Sequence, residues 1–237
     1  NFCVINKPYG LAVQGGSKIK KNLVDLISKI GDDHFGSMAQ KIYDEAGVDY
    51  SSVIFSKEHT TGAAGILINQ EGQNAINVVP GAASALTKED INNSSEIIKQ
   101  SSIFLTQLEA PKDVVMHALK MAKANNVTTV FNPAPASEVD EDIFSHIDYF
   151  TPNETEASFY ANHPVESPED VKKAANKFLQ MGIKNVIITL GEKGAYFVNN
   201  KESIVVPVAS LTNPVVDTTG AGDAFNAGLA VALAEGK

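Results

Sequence analysis

From about Ser101 onward two textures alternate along the chain, and that alternation restricts the fold more than any other feature. Short runs rich in β-branched and aromatic residues read as buried strands: Ile103-Phe104-Leu105, Val127 to Phe131, Ile147 to Phe150 and Val186 to Leu190. Helical patterns stand between them, at Pro111 to Asn125, Asn153 to Ala161 and Pro168 to Met181. Strand and helix in turn predict an α/β domain, a mostly parallel sheet sandwiched by helices. In the 111–125 helix, Val114, Val115, Ala118, Leu119 and Ala122 share one stripe, predicted to be buried. Pro111 is expected at the first helical position.

The segment from Val53 to Val79 differs. Val53-Ile54-Phe55, Ala63 to Ile68 and Ala75 to Val79 read as extended strands joined by polar turns, with a hairpin signal at Gln70-Glu71-Gly72-Gln73-Asn74. No helical pattern interrupts them, so a small antiparallel insert is expected around 53–80 within a single domain spanning 1–237. On the residues alone, that insert is an ordinary edge hairpin.

Bulk properties exclude some classes. An apolar content of 43% suits a large core, whereas a net charge of -9 argues against a nucleic-acid partner. No run of about 18 apolar residues occurs, so no membrane span is expected. The N-terminus lacks the pattern of a secretory signal. Cys3 is the only cysteine, which rules out an intrachain disulfide and fits a reducing, cytoplasmic setting. The five histidines lack metal-ligand spacing.

Chemistry is concentrated in Asp217-Thr218-Thr219-Gly220-Ala221-Gly222-Asp223. Val215-Val216 before it reads as a strand end. Phe225, Leu229, Ala232 and Leu233 after it mark a helix. A glycine turn there leaves main-chain N–H groups aimed at one point, at the positive end of the helix dipole. That is an anion site, with phosphate its usual occupant. A carboxylate beside bound phosphate repels it unless it has a task, and Asp223 as general base toward an attacking hydroxyl is one. A plain helix start with a favourable first-turn acid explains the same residues. No Gly-Lys-Ser/Thr follows the glycines, so the segment is not a Walker loop.

Other residues also carry two readings. Asn153 and Glu156 are three apart at a helix start, the spacing of a capping box and equally of an amide and acid sharing one face. Gly191-Glu192-Lys193-Gly194 lies between Val186-Ile187-Ile188 and Tyr196-Phe197-Val198, as a hairpin turn would; Thr189 ends the first strand. Glu109 follows a strand and precedes a helix, where an acid favours the helix start. Asp217 could simply initiate its turn.

Four ordered segments resemble the ribokinase-like (PfkB) carbohydrate kinases. They are Asn132-Pro133-Ala134-Pro135-Ala136, Thr151-Pro152-Asn153-Glu154-Thr155-Glu156, Ile188-Thr189-Leu190-Gly191-Glu192-Lys193-Gly194, and Asp217 to Asn226. The resemblance runs from about Lys29 to the last residue. It implies an ATP-dependent kinase acting on a sugar primary hydroxyl, with Asp223 as base and the amides of Gly220, Ala221 and Gly222 on the transferring phosphoryl. It further implies that Asn153 and Glu156 organise Mg²⁺, and that Thr189, Gly191, Glu192 and Gly194 contact the nucleotide. Asp217 and the Thr219 carbonyl would hold K⁺, and Glu109 and Asp223 would meet the sugar. The 53–80 insert becomes a lid over the sugar site and a homodimer contact. Asn132 to Ala136 and Glu109 lean toward the ribokinases, hence toward ribose; fructose, a nucleoside or a modified sugar are alternative acceptors, and a relic that binds without turnover is another reading.

The chain also departs from that family. Asn6 in Val4-Ile5-Asn6 has no aspartate two residues on, so the usual sugar-gripping pattern is missing. Gly15-Gly16 with Lys18 and Asn22 echoes the following loop only in part. The stretch from Ser17 to Ile30 is too short for the usual loop, helix and strand, and the register recovers at Gly31 to Gly36. The chain stops at Lys237 on the helix that Asp223 opens. The expectation is a domain incomplete at both ends through lost residues, not a degenerate one.

Overall fold

These patterns fold into β1 (Phe2–Ile5), β2 (Val24–Gly31), α1 (His34–Ala46), β3 (Val53–Ser56), β4 (Ala63–Ile68), β5 (Asn74–Val79), α2 (Lys88–Asn93), α3 (Ser95–Gln100), β6 (Ile103–Thr106), α4 (Lys112–Ala124), β7 (Thr128–Phe131), β8 (Tyr149–Phe150), α5 (Glu154–Ala161), α6 (Pro168–Gln180), β9 (Asn185–Thr189), β10 (Ala195–Asn199), β11 (Ser203–Val206) and α7 (Ala221–Ala234). The computed structural model describes residues 2–5, 24–68, 74–210, 215 and 218–237. The Gln70–Gln73 turn, Asn6 to Asn22 with its glycine pair, Val216 and Asp217 lie outside the described residues.

One nine-stranded sheet, in the order β11-β10-β9-β8-β7-β6-β1-β2-β3, carries the domain. β1 is antiparallel to both of its neighbours and β10 to both of its own; every other pair is parallel. Seven of the nine strands therefore point one way, the mostly parallel sheet expected. The alternation of side chains sorts the core into two layers. Phe104, Phe131, Phe150, Val186 and Ile188 face the layer built from α2 to α6. Phe131 stacks on Phe150 with ring centroids 6.0 Å apart, and Phe178 meets Phe150 edge-on at 5.2 Å. Ile103 and Val130 face the other way, onto Ala230 of α7.

Local chemistry explains the element ends. The five stripe residues predicted for α4 are its buried residues. Pro111 sits one position earlier than expected, at the N-cap, where its extended ψ of 130° lets its carbonyl accept from Val114 N and Val115 N. Thr87, Asn153 and Ser167 each cap a helix by a reciprocal capping box.

Three expectations are corrected. Val53-Ile54-Phe55 does not belong to the insert: β3 pairs in parallel with β2, from Ser28↔Val53 to Gly31↔Ser56, and α1 makes the crossover. A short apolar triplet looks the same whichever strand it joins. The insert is thus the separate ribbon β4–β5, with Ala63 opposite Val79 and Ile68 opposite Asn74. Val215 lies in no strand and is 62% exposed. On α7 the buried line is Asn226 and Ala230, with Phe225, Leu229, Ala232 and Leu233 only half-buried. Asn226 is drawn inward by the Thr151 hydroxyl, which donates to its Oδ1, and Ala230 packs on Ile103 and Val130 with Leu229 and Leu233 at the margin.

The β9–β10 hairpin turns through Gly191–Lys193 as expected. Gly194 there has φ 94° and ψ -130°, and an added Cβ would stand 2.0 Å from the Val206 carbonyl oxygen. Gly194→Ala is therefore expected to cost at least about 2 kcal/mol. Denaturant unfolding with an unchanged midpoint would refute it.

At the other sheet edge, where β7 and β8 begin, buried Asp148 gathers Lys123 and Lys184 Nζ on one oxygen. Its second oxygen accepts from Thr129 N and Oγ1, each at 3.1 Å. Burial pushes the Asp148 carboxyl up, but the two lysines and Thr129 outweigh it and hold it below the ordinary value. Among the described residues, no helix is long and apolar enough to cross a membrane.

Candidate active site

A parallel sheet gathers its loops at the C-terminal strand ends, and most of the residues singled out above stand there. Asp223 lies exposed on the first turn of α7, which opens from Gly220 in a left-handed conformation (φ 75°). The Ala221 N–H is engaged by the Thr218 carbonyl at 3.1 Å, and Ala224 N–H by that of Gly220 at 2.9 Å. Gly222 N and Asp223 N have no acceptor among the described residues, as the first turn of a helix requires. The donors toward a bound anion are thus those of Gly222 and Asp223, while the Ala221 donor closes the turn.

A chain of polar contacts fixes this turn over the sheet. Gln107, just past β6, donates from Nε2 to Asp223 Oδ1 at 2.9 Å and to Asn132 Oδ1 at 3.2 Å. Asn132 Nδ2 donates to the Thr151 carbonyl at 2.7 Å. Thr151 Oγ1 donates to Asn226 Oδ1 at 2.6 Å, and Asn226 Nδ2 returns to the Gly222 carbonyl at 2.9 Å. Asn132, Thr151 and Asn226 are buried, so the contacts from Asn132 to Thr151 and from Thr151 to Asn226 form away from water, whereas the Gln107–Asp223 contact at the head of the chain is exposed. The ends of β6, β7 and β8 are tied in this way to the turn carrying Asp223.

Sequence reasoning missed Gln107 altogether, and it passed over the buried roles of Thr151 and Asn226. Asn226 did leave a signal: it is an amide four residues after Gly222 in an otherwise apolar helix. Gln107 left none, because its contact with Asp223 joins residues 116 positions apart.

The second cluster lies at the ends of β8 and β9. Thr189 N–H donates to the Pro152 carbonyl at 3.0 Å, and Asn153 and Thr189 form a parallel bridge. Asn153 N and Nδ2 donate to Glu156 Oε2 and Oε1 at 2.8 and 2.9 Å, and Asn153 Oδ1 accepts from Glu156 N at 2.8 Å. The capping box is therefore formed. Burial raises the Glu156 carboxyl, against the Asn153 N–H that lowers it. Gly191 and Glu192 follow Thr189 on the exposed turn, which Gly194 closes. Glu109 is exposed, next to Leu108, whose N–H is bonded to Ala134 O at 2.8 Å beside the Asn132–Ala136 loop. Among the described residues no three acidic, histidine or cysteine side chains converge as a metal cage. Thr219 is placed in the turn before α7, but Asp217 is outside the described residues.

An acid on the first turn of a helix, over the C-terminal edge of a mostly parallel sheet, stands where α/β folds bind their ligands. The model of the pfkB family of carbohydrate kinases matches residues 5–237, and the chain belongs to that family. It is 40% identical to a ribokinase of Staphylococcus aureus (strain COL) over 199 residues, 84% of this chain and 65% of that protein. A deoxyribokinase of Salmonella typhi is 33% identical over 201 residues, again 84% of this chain and 65% of the relative. Among solved structures, Arabidopsis thaliana ribokinase complexed with ribose and ATP superposes with a TM-score of 0.84 at 31% identity. That match covers 90% of this chain and 70% of the other. The chain spans a little under two thirds of the length of these curated relatives.

Proposed function

We propose that this chain is an ATP-dependent sugar kinase whose acceptor is ribose, giving ribose 5-phosphate. One observation carries the reading: Asp223, held by Gln107, stands on the first turn of α7 beside amides that have no other acceptor among the described residues. In the proposed step, the sugar's primary hydroxyl oxygen attacks the γ-phosphorus of ATP. The bond from that phosphorus to the β-phosphate bridging oxygen breaks, ADP leaves, and the hydroxyl proton passes to Asp223. The turn from Gly220 faces the charge on the transferring group with the Gly222 and Asp223 main-chain donors and the positive helix end. Thr189, Gly191, Glu192 and Gly194 form the nucleotide side, and Glu109 the sugar side.

Mg²⁺ would neutralise charge on the β- and γ-phosphate oxygens. Both Glu156 oxygens already accept from Asn153, so this pair fits a hydrated ion reached through its water. For Asp217 and Thr219 as a K⁺ site, only the resemblance speaks. We also propose a cytoplasmic homodimer joined through β4–β5, where Leu67, Val78 and Val79 are 75%, 59% and 56% exposed. A single-protomer mass by light scattering would overturn that assembly.

ADP release coupled to a reporter, measured over ribose, 2-deoxyribose, fructose and nucleosides, tests the acceptor. Turnover with another sugar and none with ribose would remove ribose. No turnover with any acceptor would leave a binding relic. The deoxyribokinase relative favours 2-deoxyribose as the second reading. Gln107→Ala is expected to lower turnover roughly tenfold to a hundredfold, because Asp223 loses its orienting donor. Unchanged kcat in that variant would show that Gln107 positions nothing.

A further inference from the structure

The ribbon β4–β5 joins the sheet at one compact knot, and Asp33 is its centre. Asp33 caps α1, accepting from Gly36 N at 2.8 Å through Oδ1. The same oxygen accepts from Thr61 Oγ1 at 2.7 Å, and Oδ2 accepts from Thr61 N at 2.7 Å. Thr61 Oγ1 in turn accepts from Gly31 N at 2.9 Å. Thr61 is the second residue before β4, so the entry root of the ribbon is bound to the last residue of β2. The exit root is bound to the entry root: Ala82 N donates to Thr60 O at 2.7 Å. There is no slack at either crossing. A Cβ on Gly31 would stand 2.4 Å from Thr61 N, and one on Gly81 (φ 54°) would stand 2.4 Å from Thr60 O.

The knot lies on the edge that carries Asp223. β1 is antiparallel to both β2 and β6, so β2 and β6 run the same way. Phe2 opposes both Ile27 and Thr106, and β2 continues four residues past that level, to Gly31. Beyond its roots the ribbon forms a two-stranded sheet of its own and, among the described residues, pairs with no other strand. Its direction is therefore set where the chain is bound, at Asp33 and Thr61. A carboxylate suits the task because three donors converge on it; the Gly36 and Thr61 bonds also hold its carboxyl below the ordinary value.

We propose that Asp33 is a positioning residue that locks the root of the β4–β5 ribbon through Thr61, and so holds the ribbon over the sugar side of the crevice. This rests on the kinase reading above. Asp33 and Thr61 act through the ribbon and touch neither phosphate nor acceptor in the proposed step. Their loss weakens sugar capture and leaves the nucleotide side alone.

Thr61→Val tests this without disturbing the α1 cap, and Thr61→Ser is the conservative control. In Thr61→Val, kcat/KM for the sugar is expected to fall about tenfold, carried by KM for the sugar and not by KM for ATP. Thr61→Ser should restore it. Amide exchange is expected to quicken at 62–68 and 74–81 and not at 34–46. Unchanged sugar KM in a protein that turns over, or unchanged exchange in the ribbon, would overturn the proposal. If the unsubstituted protein turns over no sugar, the kinase reading falls, while the exchange experiment still decides whether Asp33 and Thr61 lock the ribbon. Asp33→Asn, which keeps one acceptor oxygen but presents an NH2 to converging donors, should reproduce the ribbon effect and also loosen the first turn of α1.

Discussion

Replacing Asp223 by Asn is expected to lower turnover by about 10²–10⁴-fold, the usual size of a lost general base. The substitution isolates proton transfer from geometry. Asn keeps an oxygen at Oδ1, so it can still accept from Gln107, and the polar chain through Asn132, Thr151 and Asn226 stays closed. The Gly222 amide on the phosphate side is main chain and does not change. What Asn cannot do is take the hydroxyl proton as the oxygen attacks phosphorus. Binding of Mg-ATP, followed as a shift in thermal midpoint with ligand concentration, should therefore persist. An Asp223→Asn protein with ordinary kcat would remove Asp223 from the chemistry. One that no longer binds nucleotide would show that the carboxylate shapes the turn instead.

The largest stability effect is expected at Asp148, far from that chemistry. Asp148→Ala leaves Lys123, with its side chain only 23% exposed, beside a Thr129 N–H that has lost its acceptor, while Thr129 Oγ1 keeps the His146 carbonyl at 2.7 Å. Removing one member of a buried ion pair is more damaging than never having built it, because the partner's charge stays desolvated. Lys184 can turn to water, since its side chain is 63% exposed, which reduces the penalty. A loss of about 2–4 kcal/mol is expected, and a fall in Tm of roughly 5–10 °C. The pH dependence has a definite sign. The folded-state pKa of Asp148 is depressed, so its contribution is complete above the unfolded carboxylate value of about 3.9 and disappears as pH falls through the lower folded value. Urea midpoints of the unsubstituted protein and the variant should therefore differ at pH 7 and converge under strongly acid conditions. Equal midpoints at pH 7 would sink this account.

How much of this was legible beforehand depends on the range of the interaction. The α4 stripe was readable because Val114, Val115, Ala118, Leu119 and Ala122 repeat at helical spacing, and periodicity is a local property. The β9–β10 hairpin was readable because its glycines mark a turn between two apolar runs. Val53-Ile54-Phe55 was assigned to the wrong sheet, because nothing in three apolar residues says that Ser28 to Gly31 will lie alongside. Asn153 and Glu156 were readable as a capping box because the two partners of such a box stand three residues apart.

By itself the sequence determined the order of strands and helices from β6 to β10, the buried stripe of α4 and the glycine turn that opens α7, since each depends on neighbours within a few residues. Only the tertiary structure decided that Gln107 reaches Asp223, that Asn226 turns inward to Thr151, and that Thr61 binds Asp33 at the root of the ribbon. Those contacts join residues 116, 75 and 28 positions apart. No local pattern specifies such pairs, because it is the closing of the sheet that brings their strand ends to one edge.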